Sequence, residues 1–171
     1  MAKAVFCIAQ NEEQAVRIVD RLKSAGFSNN DVSVLLPDRD GTRDFAHEQH
    51  TKAPEGAATG AAAGGVAGGV LGWLVGIGSL AIPGVGPFIA AGPILAALGG
   101  VAAGGTIGGM TGALVGMGIP EYEAKQYEGK LKGGNILISV HTEDSKERDA
   151  AKKIFESAHA DDISYTGEAH V

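Results

Sequence analysis

The stretch Gly100-Val-Ala-Ala-Gly-Gly-Thr-Ile-Gly-Gly-Met-Thr-Gly-Ala-Leu-Val-Gly116 places a glycine at every fourth position. An earlier run has the same spacing. The glycines of the two runs are Gly56, Gly60, Gly64, Gly68, Gly72 and Gly76, then Gly100, Gly104, Gly108, Gly112 and Gly116. Residues four apart share one face of a helix. Each run therefore predicts a helix with a glycine face, the pattern that lets paired helices approach closely in membranes.

Between the two runs lies Ile82-Pro-Gly-Val-Gly-Pro87, whose Pro83, Gly84, Gly86 and Pro87 are typical of a turn. The block over 56–119 is therefore predicted to be an antiparallel helical hairpin, a glycine zipper. Most bulky apolar residues of the block lie away from the glycines. Those expected to face lipid or a neighbouring subunit are Leu71, Trp73, Leu74, Leu95 and Leu98.

Residues 56–120 contain no Asp, Glu, Lys, Arg or His, although they hold 21 of the 27 glycines. Each arm has at least about 25 residues, and a helix needs about 20 to cross a bilayer. Two alternatives follow: the hairpin is inserted in or lies on a membrane, or it is buried between the subunits of a soluble oligomer. The complete absence of charge favours membrane contact, because a soluble assembly does not require it.

The two ends of the chain have a different character. Residues 1–37 predict a βαβ unit, in which Asn11 and Gln14 have the spacing of a helix capping box. Residues 38–55 form a polar linker, and residues 120–171 predict an αβαβ unit. Neither end is long enough to fold alone. Together they predict one α+β domain, a ferredoxin-like four-stranded sheet with helices on one face, split by the inserted hairpin.

The sequence gives little support for catalysis or for ligand chemistry. The net charge of −6 and the lack of a Lys/Arg cluster argue against nucleic acid. Cys7 is the only cysteine and is interpreted as a buried small hydrophobe. His47 and His50 lie in the polar linker, where a solvated pair is the expected state. No nucleophile is paired with a base, so the sequence predicts no enzyme, no catalytic residue, no metal and no cofactor.

Several segments resemble the heat-induced general stress protein family of bacteria. They are Glu13-Gln-Ala-Val16 with Leu22-Lys-Ser-Ala-Gly-Phe27, Ala81-Ile-Pro-Gly-Val-Gly-Pro87 with Ala91-Gly-Pro93, and Gly118-Ile-Pro-Glu-Tyr-Glu-Ala124 with Gly133-Gly-Asn-Ile-Leu-Ile138. The resemblance implies a stress-linked protein without a known reaction. The predicted partners are a second copy of the chain and membrane lipid, at the cytoplasmic side of the inner membrane, or in the cytoplasm if the hairpin is buried in an oligomer.

Overall fold

The computed structural model describes residues 3–37, 73–74, 77–82, 86–94, 98 and 109–166. These residues form one antiparallel sheet and the helices that pack on it. In chain order the elements are β1 (Lys3–Ala9), α1 (Glu12–Ser24), β2 (Val32–Pro37), β3 (Ile77–Ile82), β4 (Gly86–Ala91), α2 (Gly109–Gly116), α3 (Glu121–Lys132), β5 (Ile136–Thr142), α4 (Ser145–Ser157) and β6 (Asp161–Tyr165). The predicted α+β class is confirmed.

The sheet has the strand order β3-β4-β2-β5-β1-β6, and every neighbouring pair is antiparallel. Strand β5 lies between β1 and β2, so the unit β1-α1-β2 and the unit β5-α4-β6 interleave. At the centre, Ile138 of β5 lies opposite Cys7 of β1 on one side and Val34 of β2 on the other. The two ends of the chain therefore build one sheet, but the expected four strands are joined by β3 and β4.

Helices α1 and α4 begin with the same hydrogen-bonding arrangement. The Asn11 side chain accepts the backbone N–H of Gln14 at 2.8 Å, while the Gln14 side chain accepts the backbone N–H of Gln10 at 2.7 Å. In α4, Asp144 accepts from the N–H of Glu147, and Glu147 accepts from the N–H of Glu143, each at 2.8 Å. These bonds satisfy N–H groups that a helix start leaves without a partner. The capping role predicted for Asn11 and Gln14 is confirmed.

Both faces of the sheet are covered, whereas the sequence predicted helices on one face. The first face packs against α1 and α4, and its core contains Val5, Cys7, Ile18, Leu22, Val34, Ile138 and Phe155. The second face packs against α2, α3 and residues near position 94, and its core contains Phe6, Ile8, Ile94, Met110, Leu114, Tyr127 and Leu131. Alternate residues of β1 thus enter opposite cores, because successive side chains of a strand point to opposite faces.

The expected helical hairpin is wrong for residues 77–82 and 86–91, which form β3 and β4. These strands pair along six consecutive positions, from Ile77 opposite Ala91 to Ile82 opposite Gly86. Strand β4 then pairs with β2, with Val34 opposite Ala91 and Pro37 opposite Phe88. Without β4, β2 would be an apolar edge strand with its hydrogen-bonding groups unpaired, so this addition satisfies a strand that the predicted sheet left exposed.

Candidate self-association surface

Helix α2 carries the part of the glycine repeat that the structure describes in a helix. Gly112 and Gly116 lie four residues apart in α2, as predicted, on a helix without any charged residue. The other glycines of the two runs lie outside the described residues: Gly56, Gly60, Gly64, Gly68, Gly72, Gly76, Gly100, Gly104 and Gly108. The candidate surface is therefore described from α2 alone.

One side of α2 is fixed against the rest of the protein. Met110, Ala113 and Leu114 are buried in the second core. Near the start of α2, the backbone N–H of Thr111 donates to the Glu128 carboxylate at 3.1 Å, and the Thr111 hydroxyl donates to the same oxygen. The Lys132 ammonium lies 2.9 Å from the other Glu128 oxygen. Apolar packing and a charge-assisted network thus hold α2 on α3.

The opposite side of α2 faces outward. Val115 is 41% exposed, Gly116 is exposed, and Gly112 is half-buried. A Cβ atom built at Gly116 would have no other group within 4 Å. Gly112 and Gly116 let a second backbone approach closely at these two positions, because neither residue places a side chain between the two chains. We call the side of α2 formed by Gly112, Val115 and Gly116 the glycine face.

The residues expected to face lipid or a subunit are placed differently. Leu74 and Leu98 are buried, with exposed fractions of 6% and 1%, in the first and second core respectively, so the prediction is wrong for both. Trp73 is half-buried against the first core, with the Lys23 ammonium 5.6 Å from its ring centroid. Leu71 and Leu95 lie outside the described residues. Burial in the sheet cores removes these large side chains from water without a lipid partner.

The predicted turn also joins different elements from those expected. Pro83 and Gly84 lie outside the described residues, between the ends of β3 and β4, whereas Gly86 and Pro87 are the first two residues of β4. The segment therefore connects two strands and not two helices. Pro-Gly sequences suit both connections, since proline and glycine favour tight changes of chain direction in general.

Two side chains that sequence reasoning missed tie the elements together. The Tyr127 hydroxyl of α3 donates to the carbonyl of Asp162 at 2.7 Å and lies 2.5 Å from the Ser164 hydroxyl, both in β6. Burial raises the pKa of Tyr127, so the hydroxyl keeps its proton. The buried Gln14 amide donates to the carbonyls of Ala158 and His159. A polar residue at a core-facing helical position was the available signal for Gln14.

The structure offers little for catalysis in the part that it describes. Among those residues, no group of three or more His, Cys, Asp or Glu side chains could hold a metal, and His47 and His50 lie outside them. Cys7 is fully buried, as predicted, and burial raises the pKa of its thiol well above the usual value. The thiolate is the nucleophilic form. Cys7 is thus held in the unreactive state.

A cleft of about 330 Å³ lies at the start of α1, beside the ends of β1 and β2. Two of its polar side chains already have partners in the same chain. The Gln10 amide donates to Asp161 at 2.7 Å, and the Asn11 side chain caps α1. Glu12 and Glu13 add negative charge at the helix start. The cleft therefore shows no convergent set of polar groups that would orient a small ligand.

No helix within the described residues is long and apolar enough to cross a bilayer.

Fold and surface together define an α+β protein whose two terminal βαβ units share one sheet and whose uncharged central segment supplies two strands and a glycine-faced helix.

Residues 7–80 match the family model described as the heat induced stress protein YflT domain. The predicted resemblance to the bacterial heat-induced stress proteins is thereby confirmed over these residues. The match begins in β1, includes α1 and β2, and ends within β3. No curated protein and no solved structure shows a significant match to the chain.

Proposed function

We propose that the protein is a non-enzymatic, stress-associated assembly protein whose copies associate through the glycine face of α2. The observation that carries the proposal is the open position of Gly116 beside the exposed Val115 on an uncharged helix. The match to a heat-induced stress domain supports the association with stress. Each copy binds a second copy of the chain, and the assembly is located in the cytoplasm.

No contact among the described residues requires a glycine at position 116, so a contact with another chain is the better reason for it. Glycine costs about 1 kcal/mol relative to alanine within a helix. Because Gly116 is the last residue of α2, only part of that free-energy cost applies there. A Cβ atom at this position would contact no other group in the part of the chain that the structure describes. A close contact with another backbone gives a reason for the glycine, because dispersion and weak Cα–H···O contacts need short interhelical distances.

The experiment compares Gly116→Leu with Gly129→Leu. Gly129 lies on α3 and, like Gly116, has no group within 4 Å of a built Cβ atom. Both substitutions raise helix propensity, but only Gly116→Leu blocks the glycine face. We expect sedimentation velocity to show a smaller assembly for Gly116→Leu and an unchanged one for Gly129→Leu. An identical assembly in both variants would refute the proposal.

A second candidate is that the central segment contacts the inner membrane from the cytoplasmic side. The observation that favours it is the absence of charge throughout residues 56–120. The burial of Leu74 and Leu98 favours self-association without membrane contact, since these apolar side chains contact protein. Fractionation of cells separates the two. Protein retained in carbonate-washed membranes would support membrane contact, and a large particle in the detergent-free supernatant would support self-assembly alone.

A further inference from the structure

The two edges of the sheet differ in how they are protected from pairing with another strand. Strand β6 forms one edge and contains Asp161 and Asp162. Its register with β1 shifts between Phe6 and Ile8, and Asp162 has a φ of 45°. Charges and irregularities of this kind are how proteins prevent a sheet edge from adding a foreign strand. The β6 edge is therefore protected from pairing with another strand.

Strand β3 forms the other edge and lacks these devices. Its sequence Ile77-Gly-Ser-Leu-Ala-Ile82 contains neither a charge nor a proline. Its pairing with β4 runs without a shift over six positions. Among the described residues, β4 is its only paired neighbour. A regular, uncharged edge strand is a template for β-strand addition.

The prolines of the sheet indicate which backbone groups of β3 face outward. Antiparallel pairs alternate between those joined by two hydrogen bonds and those joined by none. Pro87, opposite Ala81, has no N–H and so occupies a pair that is not hydrogen-bonded. By alternation, Leu80 and Phe88 form a bonded pair. The residues of β3 whose N–H and C=O groups point away from β4 are then Ile77, Ser79 and Ala81.

We propose that β3 pairs antiparallel with β3 of a second copy of this chain, about a two-fold axis at Ser79. This register places Ser79 opposite its own counterpart and Ile77 opposite Ala81 of the partner, so all three outward-facing residues form bonded pairs. The strand is self-complementary because it brings no like charges together. The pairing satisfies the outward-facing backbone groups of both β3 strands at once and joins the two sheets across the dimer.

The β3 edge and the glycine face are separate surfaces, and they share only the premise that the chain self-associates. Ser79→Pro removes an N–H that faces away from β4, so the β3–β4 pairing is retained, as for prolines on edge strands elsewhere. We expect Ser79→Pro to raise the dimer dissociation constant by at least about tenfold in sedimentation equilibrium. Ser79→Ala, which keeps the N–H, should leave it unchanged. An unchanged constant in Ser79→Pro overturns the proposal.

A cross-linking experiment tests the register without removing a hydrogen bond. Bonded antiparallel pairs have Cα atoms about 5.5 Å apart, within the range that a disulfide spans. We expect Ser79→Cys to form a disulfide-linked dimer on mild oxidation. Lys153→Cys, on the exposed side of α4, controls for random collision. A cross-linked yield for Ser79→Cys no greater than that of Lys153→Cys overturns the register.

The outcomes also separate the two surfaces. If Gly116→Leu reduces assembly and Ser79→Pro does not, the β3 proposal fails while the glycine face stands. The reverse result supports the β3 dimer and refutes the glycine face. A wild-type chain that stays monomeric at every concentration refutes both.

Discussion

Thr111 and Glu128 join two helices that the sequence alone does not place together. Both the backbone N–H and the hydroxyl of Thr111 donate to one carboxylate oxygen of Glu128, at the position where α2 meets α3. Burial raises the pKa of the Glu128 carboxyl, but the bonds from Thr111 and the Lys132 ammonium lower it by more, so the pKa lies below its usual value. The ionised carboxylate is therefore the form that stabilises this contact.

Replacement of Glu128 by Gln should destabilise the protein by about 1.5 kcal/mol at neutral pH, because hydrogen bonds to a charged group are lost or weakened. The lowered pKa fixes the sign of the pH dependence. The stabilisation is complete above the pKa of the unfolded chain and is lost as the pH falls through the lower folded-state pKa. Urea unfolding of both proteins between pH 7 and acidic pH measures the difference. A gap between wild type and Glu128→Gln that does not shrink on acidification would contradict this assignment.

Gly92 offers a test of how β4 lies beside β2. Its φ is +86°, and a Cβ atom there would come within 2.3 Å of the Val32 carbonyl oxygen. We expect Gly92→Ala to cost more than about 3 kcal/mol, from backbone strain and overlap together. The matched control is Gly26→Ala, with a φ of +94° and no group within 4 Å, which should cost about 1 kcal/mol from strain alone. Thermal unfolding compares the two, and equal losses would place Gly92 away from β2.

Cys7 should react slowly with thiol reagents in the folded protein. It is fully buried between strands, and burial raises the pKa of its thiol. Access then requires opening of the sheet, so the reaction rate follows unfolding. A chromogenic disulfide reagent should show almost no reaction in native buffer and one thiol per chain in guanidinium chloride. Prompt labelling of the native chain would show that β1 is exposed.

The terminal βαβ units could be predicted because their local signals agree with one another. In α1, apolar residues recur at helical spacing and Asn11 caps the start, while β5 is a short apolar run bounded by Gly134 and polar residues. Local propensity and periodicity therefore point to the same elements. Within the predicted αβαβ unit, β5 begins at Ile136 and Asp144 caps α4.

The central segment could not be predicted in the same way, because its main signal is ambiguous. A spacing of four lies on one face of a helix, and since four is even it also lies on one face of a strand. The spacing predicted helices throughout. In the structure it corresponds to a helix at Gly112 and Gly116 but is followed by strand at Ile77. The better signal was β2, whose buried residues Val32 to Leu36 required cover on both faces.

The sequence by itself determined the secondary structure of the two ends, the stress-protein resemblance and a glycine-faced helix at α2, because these depend on residues close together in the chain. Only the tertiary structure decided that β4 pairs with β2 and that Leu74 and Leu98 are buried. It also decided that Glu128 holds Thr111. These outcomes depend on contacts between segments that are far apart in the chain. The free energy gained by burying apolar surface in such contacts cannot be predicted from the residue spacing within one segment.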